Sequence, residues 1–228
     1  MSARIGGVRA CVFDAYGTLF DVASAALRQR DVLGDKAPAL AAQWRDKQLQ
    51  YTWLRAAQGR HADFQQVTRE ALAFCMQQLG IDAGLEDRLM RSYDALAAYP
   101  EVPDVLRRLR QAGQITAILS NGTPAMLAAL VTSAQLDGLF DHVISVESVG
   151  HFKPHPAVYR QAVQLLGLAP EQICFQSSNG WDAYAASAFG MRVVWCNRLG
   201  QPAERLPGAP DAQVSTLAQL PALLGIAA

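Results

Sequence analysis

A chain of 228 residues that is 51% hydrophobic and 18% charged is large enough to bury a core, which excludes a disordered protein. Its 20 basic and 20 acidic residues cancel, which removes the electrostatic footprint of a nucleic-acid or anionic-membrane binder. No apolar run approaches the roughly 20 residues needed to span a bilayer, and the N-terminus runs into a first strand without a long apolar signal region.

In chain order, the first apolar run covers residues 9–13 and stops abruptly at Asp14, with Gly17 and Thr18 close behind. Its β-branched and aromatic residues predict a buried parallel strand that delivers one carboxylate to the carboxyl edge of a sheet. Residues 22–99 contain no convincing strand and read instead as helices over 38–58, 63–79 and 85–97. Helical apolar spacing is clear in Trp44, Gln48/Leu49 and Thr52/Trp53, and again in Phe64, Val67, Ala71/Leu72 and Cys75. This is too much helix for a simple crossover, and it predicts a helical cap over the edge where Asp14 emerges.

Beyond residue 99, helices at 103–112, 124–135, 156–166 and 181–189 alternate with strands at 114–119, 142–145, 173–176 and 192–196. The expected fold is α/β: a Rossmann-like parallel sheet with helices on both faces, plus the inserted cap. Residues 1–20 and 99–228 form the expected core domain and 21–98 the cap, with the Gly/Pro-rich segment 199–210 as a surface loop. Cys11, Cys75, Cys174 and Cys196 show no CxxC or Cys/His metal spacing, so they read as inert thiols in a reducing cytoplasm.

Four places carry a polar group where a strand opens into a turn or helix. Asp14 with Thr18 is the first, although a strand-end aspartate also caps turns. Ser120-Asn121-Gly122 is the second: a hydroxyl, an amide and free N–H groups suit an anion, while Ser120 or Asn121 could equally cap the next helix. Lys153, fixed among prolines at a strand-to-helix loop, is the third; a lone lysine is also ordinary on a surface. The block from Gln176 to Asp182 is the fourth, with Asp182 open to a lesser reading as a first-turn acid favoured by the helix dipole. Four such signals along one sheet edge predict a joint site.

The order of these blocks resembles the haloacid dehalogenase superfamily over nearly the whole chain. DAYGTLFDV, WRDKQLQYTWLR, LSNG, FKPHPAVY and SSNGWDA are similar to its L-2-haloacid dehalogenase branch. The superfamily's magnesium-dependent phosphatases carry an aspartate two residues after the nucleophile and two acids in the last block. Here Tyr16 and Ser178 stand in those places, so the metal site is short of the hard oxygen anions it needs. The general acid for an ester leaving group is missing too. A halide leaves without a proton.

The resemblance implies an (S)-2-haloacid dehalogenase with no cofactor and no metal. Asp14 attacks C2 of a 2-haloalkanoate with inversion, water cleaves the resulting aspartyl ester, and an (R)-2-hydroxy acid is released. It implies catalytic roles for Asp14, Thr18, Arg45, Ser120, Lys153, Ser177, Asn179 and Asp182. Thr18, Ser177 and Lys153 support the carboxylate and later oxyanion, Asn179 and Asp182 position water, and Ser120 with the amides near Asn121 holds the substrate carboxylate. Arg45 and Asn121 stabilise the departing halide. Tyr16, Leu49, Phe64 and Trp181 form an apolar wall. Tyr159 bonds the Lys153/Asp182 cluster or simply packs. Gln176 either bonds nearby backbone or alters the solvation of halide or water. The partners implied are a halogenated carboxylate, halide, water and a second copy in a homodimer, with no nucleic acid or membrane. Two alternatives compete: a magnesium-dependent phosphatase of a small phosphoester, and a non-catalytic binding protein with the same fold.

Overall fold

The computed structural model describes residues 4–226. The first strand, β1 (Ala10–Phe13), is followed by a short β2 (Phe20–Asp21). A helical insert comes next: α1 (Ser24–Leu27), α2 (Arg30–Leu33), α3 (Ala37–Gln58), α4 (Phe64–Leu79) and α5 (Glu86–Tyr93). After β3 (Ala97–Ala98), helices and strands alternate as α6 (Val102–Gln111), β4 (Ile115–Ser120), α7 (Pro124–Ser133), β5 (His142–Ser145) and α8 (Pro156–Leu166). The chain closes with β6 (Ile173–Ser177), α9 (Gly180–Phe189), β7 (Arg192–Cys196), β8 (Ala212–Val214) and α10 (Leu220–Leu223).

The main sheet runs β5-β4-β1-β6-β7-β8, with every neighbouring pair parallel. All four residues of β1 are buried, as expected of a central strand covered on both faces. Cys11 pairs with Thr116 on one side and Cys174 on the other. The order reverses beside β1, since β4 lies to one side and β6 to the other; open α/β sheets place their sites at the carboxyl ends of such strands. Asp14, Ser120 and Ser177 all lie at that edge.

In the insert, α3 and α4 pack against each other through Trp44, Gln48 and Thr52 on one side and Val67, Thr68 and Ala71 on the other. Asp63 caps α4 by accepting from the Gln66 amide at 2.7 Å. Gly59 and Gly80 end α3 and α4 in the left-handed conformation that a side chain would strain.

The structure corrects the sequence reading at several points. The helix expected over 85–97 stops at Tyr93, and the stretch read as strand-free contains β3, which pairs antiparallel with β2. A ladder of two residues is too short for a period of two to declare itself. Helices α1 and α2, of four residues each, and the edge strand β8 were not expected for the same reason. All four cysteines are free and buried; burial raises the Cys11 thiol and pushes Cys174 up to about 12, so both stay protonated. Among the described residues no helix is long and apolar enough to cross a membrane.

Candidate active site

The amide of Asp14 donates to the Gln176 carbonyl at 2.9 Å, carrying the β1–β6 ladder one step past the strand. The chain then turns at once, with the Leu19 and Phe20 amides both bonded to the Ala15 carbonyl at 3.0 Å. Gly17 takes φ 89° in this turn, a conformation L side chains rarely adopt. The turn brings the Thr18 hydroxyl back to donate to Asp14 Oδ2 at 3.1 Å, while accepting from the Ser178 amide at 2.7 Å. Arg198 steadies the turn by donating to the Thr18 carbonyl at 2.8 Å. Its guanidinium also pairs with Glu101 at 2.7 Å and lies 3.6 Å from the centre of the Tyr99 ring.

Lys153 is 1% exposed, and its ammonium lies 3.1 Å from Asp14 Oδ1 and 3.0 Å from Asp182 Oδ2. One buried cation thus bridges two buried carboxylates, the pairing that burial demands. The lysine is placed by its own amide, which donates to Asn121 Oδ1 at 2.9 Å. Tyr159 donates to Asp182 Oδ1 at 2.7 Å, so its hydroxyl belongs to the cluster. Burial drives the Asp182 carboxyl above its ordinary range, with the Asp14 charge adding to the rise and the Lys153 charge opposing it.

Asn179 joins the two halves of the site. Its Nδ2 donates to Asp14 Oδ2 at 2.8 Å and to the Tyr16 carbonyl at 3.3 Å. Its Oδ1 accepts from Arg45 Nη2 at 3.4 Å. Although Asn179 precedes α9, its side chain makes no helix cap; it is turned to the nucleophile instead. Ser177 was expected to support Asp14 by a hydrogen bond. Its hydroxyl instead accepts from the Asn179 amide at 3.1 Å, so it reaches the carboxylate only through Asn179.

The Ser120-Asn121-Gly122 turn also departs from its simplest reading. Thr123, not Ser120 or Asn121, caps α7, accepting from the Met126 amide at 3.2 Å. The Ser120 hydroxyl accepts from the Gly122 amide at 3.1 Å, and Ser145 donates to the Gly122 carbonyl at 2.7 Å. Asn121, expected at the halide, has its side-chain oxygen committed to the Lys153 amide.

Arg45 lies on α3 and reaches Gln48 Oε1 at 2.9 Å and the Tyr16 carbonyl at 3.3 Å. Gln48 is fully buried, donates to Thr68 at 2.6 Å and to Tyr93 at 2.9 Å, and so acts as a fixed stop for the guanidinium. Sequence reasoning missed Gln48 and Tyr93. The available signal was a glutamine inside the apolar stripe of α3, where a polar residue needs a partner. Arg198, beside a segment read as surface loop, gave no such signal.

The four wall residues divide. Leu49 and Trp181 line an open cleft of about 670 Å³ together with Gly17, Arg45, Trp53 and Asn179. Tyr16 and Phe64 do not line it; both are buried, their ring centres 5.3 Å apart. Trp181 meets Trp53 edge-on at 5.5 Å. Gln176 donates to the Cys174 carbonyl at 2.9 Å, which is the backbone contact among its two readings.

A magnesium ion does not fit this donor set. The Lys153 ammonium bridges the two carboxylates that would have to hold it, and an aromatic ring and a hydroxyl stand where further acids would serve. Among the described residues there is no group of three or more His, Cys, Asp or Glu side chains arranged to hold a metal.

Residues 8–190 match the family model described as haloacid dehalogenase-like hydrolase. The chain is 43% identical to the (S)-2-haloacid dehalogenase 4A of Burkholderia cepacia over 222 residues, covering 96% of each. It is similar to a dehalogenase crystal structure with an intermediate complex (TM-score 0.93, 43% identity, 96% of this chain and 97% of that one). The L-2-haloacid dehalogenase of Xanthobacter autotrophicus with chloropropionic acid covalently bound is also similar (TM-score 0.90, 39% identity, 97% and 100% covered).

Proposed function

The chain belongs to the haloacid dehalogenase-like hydrolase family, and on that basis we propose that it hydrolyses (S)-2-haloalkanoates to (R)-2-hydroxyalkanoates and halide through an ester on Asp14. The observation that carries this reading is the Lys153 ammonium held between Asp14 and Asp182, with Tyr16 where an acid would be needed to protonate an alkoxide. The site has a nucleophile and a candidate base, but Tyr16 leaves the first step without an acid to protonate the group that Asp14 displaces.

An Asp14 oxygen attacks C2 from the side opposite the halogen. The C–O bond forms as the C–X bond breaks, C2 inverts, and the halide departs with the bonding pair toward Arg45. Thr18, Lys153 and Asn179 hold the carboxylate in one orientation, so little reorganisation is required at the moment of attack. A water then attacks Cγ of Asp14. Asp182 takes its proton, helped by the basicity that burial confers, and Asn179 orients it. Lys153 and Thr18 stabilise the tetrahedral oxyanion. Collapse expels the alkoxide of the hydroxy acid, which recovers the proton from Asp182; Asp14 loses the second proton of the water to solvent and returns to the carboxylate with one oxygen from water.

Ser120 and the amides of its turn hold the substrate carboxylate, and Leu49, Phe64, Tyr16 and Trp181 surround the alkyl group. Residues 21–98 act as the cap and 1–20 with 99–228 as the core; the β2–β3 ribbon ties the two ends of the insert together. The protein works as a homodimer in a reducing cytoplasm, where its four thiols stay free.

One turnover in ¹⁸O-labelled water tests the route, with heavy oxygen expected in Asp14. Chloride release from 2-chloropropanoate should persist in excess EDTA. Loss of activity with chelator, or phosphate release from phosphoesters, would favour the phosphatase instead.

A further inference from the structure

We propose that the Tyr16 hydroxyl donates a hydrogen bond to the substrate carboxylate, completing the anion cradle begun by Ser120 and Asn121. The inference rests on the dehalogenase reading and gives Tyr16 a polar role in place of a purely apolar one.

Tyr16 is 2% exposed, and its hydroxyl oxygen is buried with no hydrogen-bond partner among the described residues. An unpaired buried hydroxyl is costly, and phenylalanine would fill the same space without that cost. The two nearby buried tyrosines differ, because Tyr93 is bonded to Gln48 and Tyr159 to Asp182. The Tyr16 ring cannot readily turn toward a partner, since Phe64 packs on it at 5.3 Å and Tyr93 stacks on it at 5.5 Å.

The hydroxyl stands against the Ser120-Asn121-Gly122 turn. A Cβ added at Gly122 would lie 2.8 Å from it, so any side chain there would push the hydroxyl aside. The turn is itself fixed, with the Gly122 amide on Ser120 and the Gly122 carbonyl on Ser145. A rigid donor therefore faces a rigid polar turn, which is how preorganised binding groups are built. Burial holds the phenol far above its usual pKa, so it remains a donor at any working pH.

The geometry separates two anion subsites. Arg45, fixed by Gln48 and reaching Asn179, serves the halide; the Tyr16 hydroxyl, set against Gly122 of the turn that Ser120 begins, serves the carboxylate.

Tyr16→Phe removes only the oxygen and keeps the ring stack. Propanoate, a halogen-free carboxylate, should bind the variant at least about tenfold more weakly, and KM for 2-chloropropanoate should rise by a similar factor. Inhibition by bromide should stay as in the parent. The Tm of the ligand-free variant should be equal or higher, because an unpaired buried group has been removed. Unchanged propanoate affinity and KM overturn the proposal. So does weakening confined to bromide, or a drop in Tm, which would show the hydroxyl paired without ligand. Absence of chloride release by the parent protein is a separate failure, that of the dehalogenase reading itself.

Discussion

The two sides of the site are built to different standards. On the sheet side, Asp14 is held by Lys153, Thr18 and Asn179 at 2.8–3.1 Å, and Asp182 by Lys153 and Tyr159 at 2.7–3.0 Å. On the insert side, the Arg45 guanidinium has one close bond, to Gln48 at 2.9 Å, and two longer ones at 3.3 and 3.4 Å. In the reaction we propose, the sheet side does the same covalent chemistry on every substrate, so a buried, cross-bonded carboxylate pays no reorganisation in each cycle. In the proposed reaction the insert side meets what varies, the halogen and the alkyl chain. It faces an open cleft with a cation held by neutral partners and so available to a halide.

The largest effect that would break this contrast is at the nucleophile. Asp14→Asn should lower turnover by about 10⁴-fold or more, read as halide release; a variant retaining activity would mean another group attacks. Lys153→Met should come next, in stability as well as rate, because it leaves two carboxylates buried without their counter-ion. A loss of about 3–5 kcal/mol in urea unfolding is expected. Asp182→Asn should spare alkylation and stall hydrolysis by about 10²–10⁴-fold. The signature is one equivalent of halide released and an adduct on Asp14 visible by mass spectrometry. The parent's kcat should fall as pH drops through the raised pKa of Asp182, placing this limb above the ordinary carboxylate value of about 4. The smallest effect belongs to the insert. Gln48→Met should free Arg45 and weaken bromide inhibition by about tenfold, roughly the worth of one charge-assisted hydrogen bond. Equal losses at Gln48 and Lys153 would erase the distinction between the two sides.

The parallel sheet and its sequence of edge residues were legible because buried strands read as continuous apolar runs and the polar residue that ends each one stands out. The long helices α3 and α4 were legible from their apolar spacing. Short elements were not: α1, α2, β3 and β8 span too few residues to show a period. Among site residues, Asp14, Lys153 and Asp182 were placed together as expected, whereas Ser177 acts at one remove and Gln48 and Arg198 went unseen.

By itself, the sequence determined which chemical groups stand at the sheet edge. It also determined which are missing, since Tyr16 and Ser178 follow directly from reading the chain. The tertiary structure alone decided the partners. That one lysine bridges two aspartates 168 positions apart, that Gln48 stops Arg45, and that the Tyr16 hydroxyl meets Gly122 without a bond are facts of three-dimensional proximity. Local pattern reports which face of an element is buried. Hydrogen-bond partners depend on distances of a few tenths of an ångström between segments far apart in the chain, and these are set only when the whole fold packs.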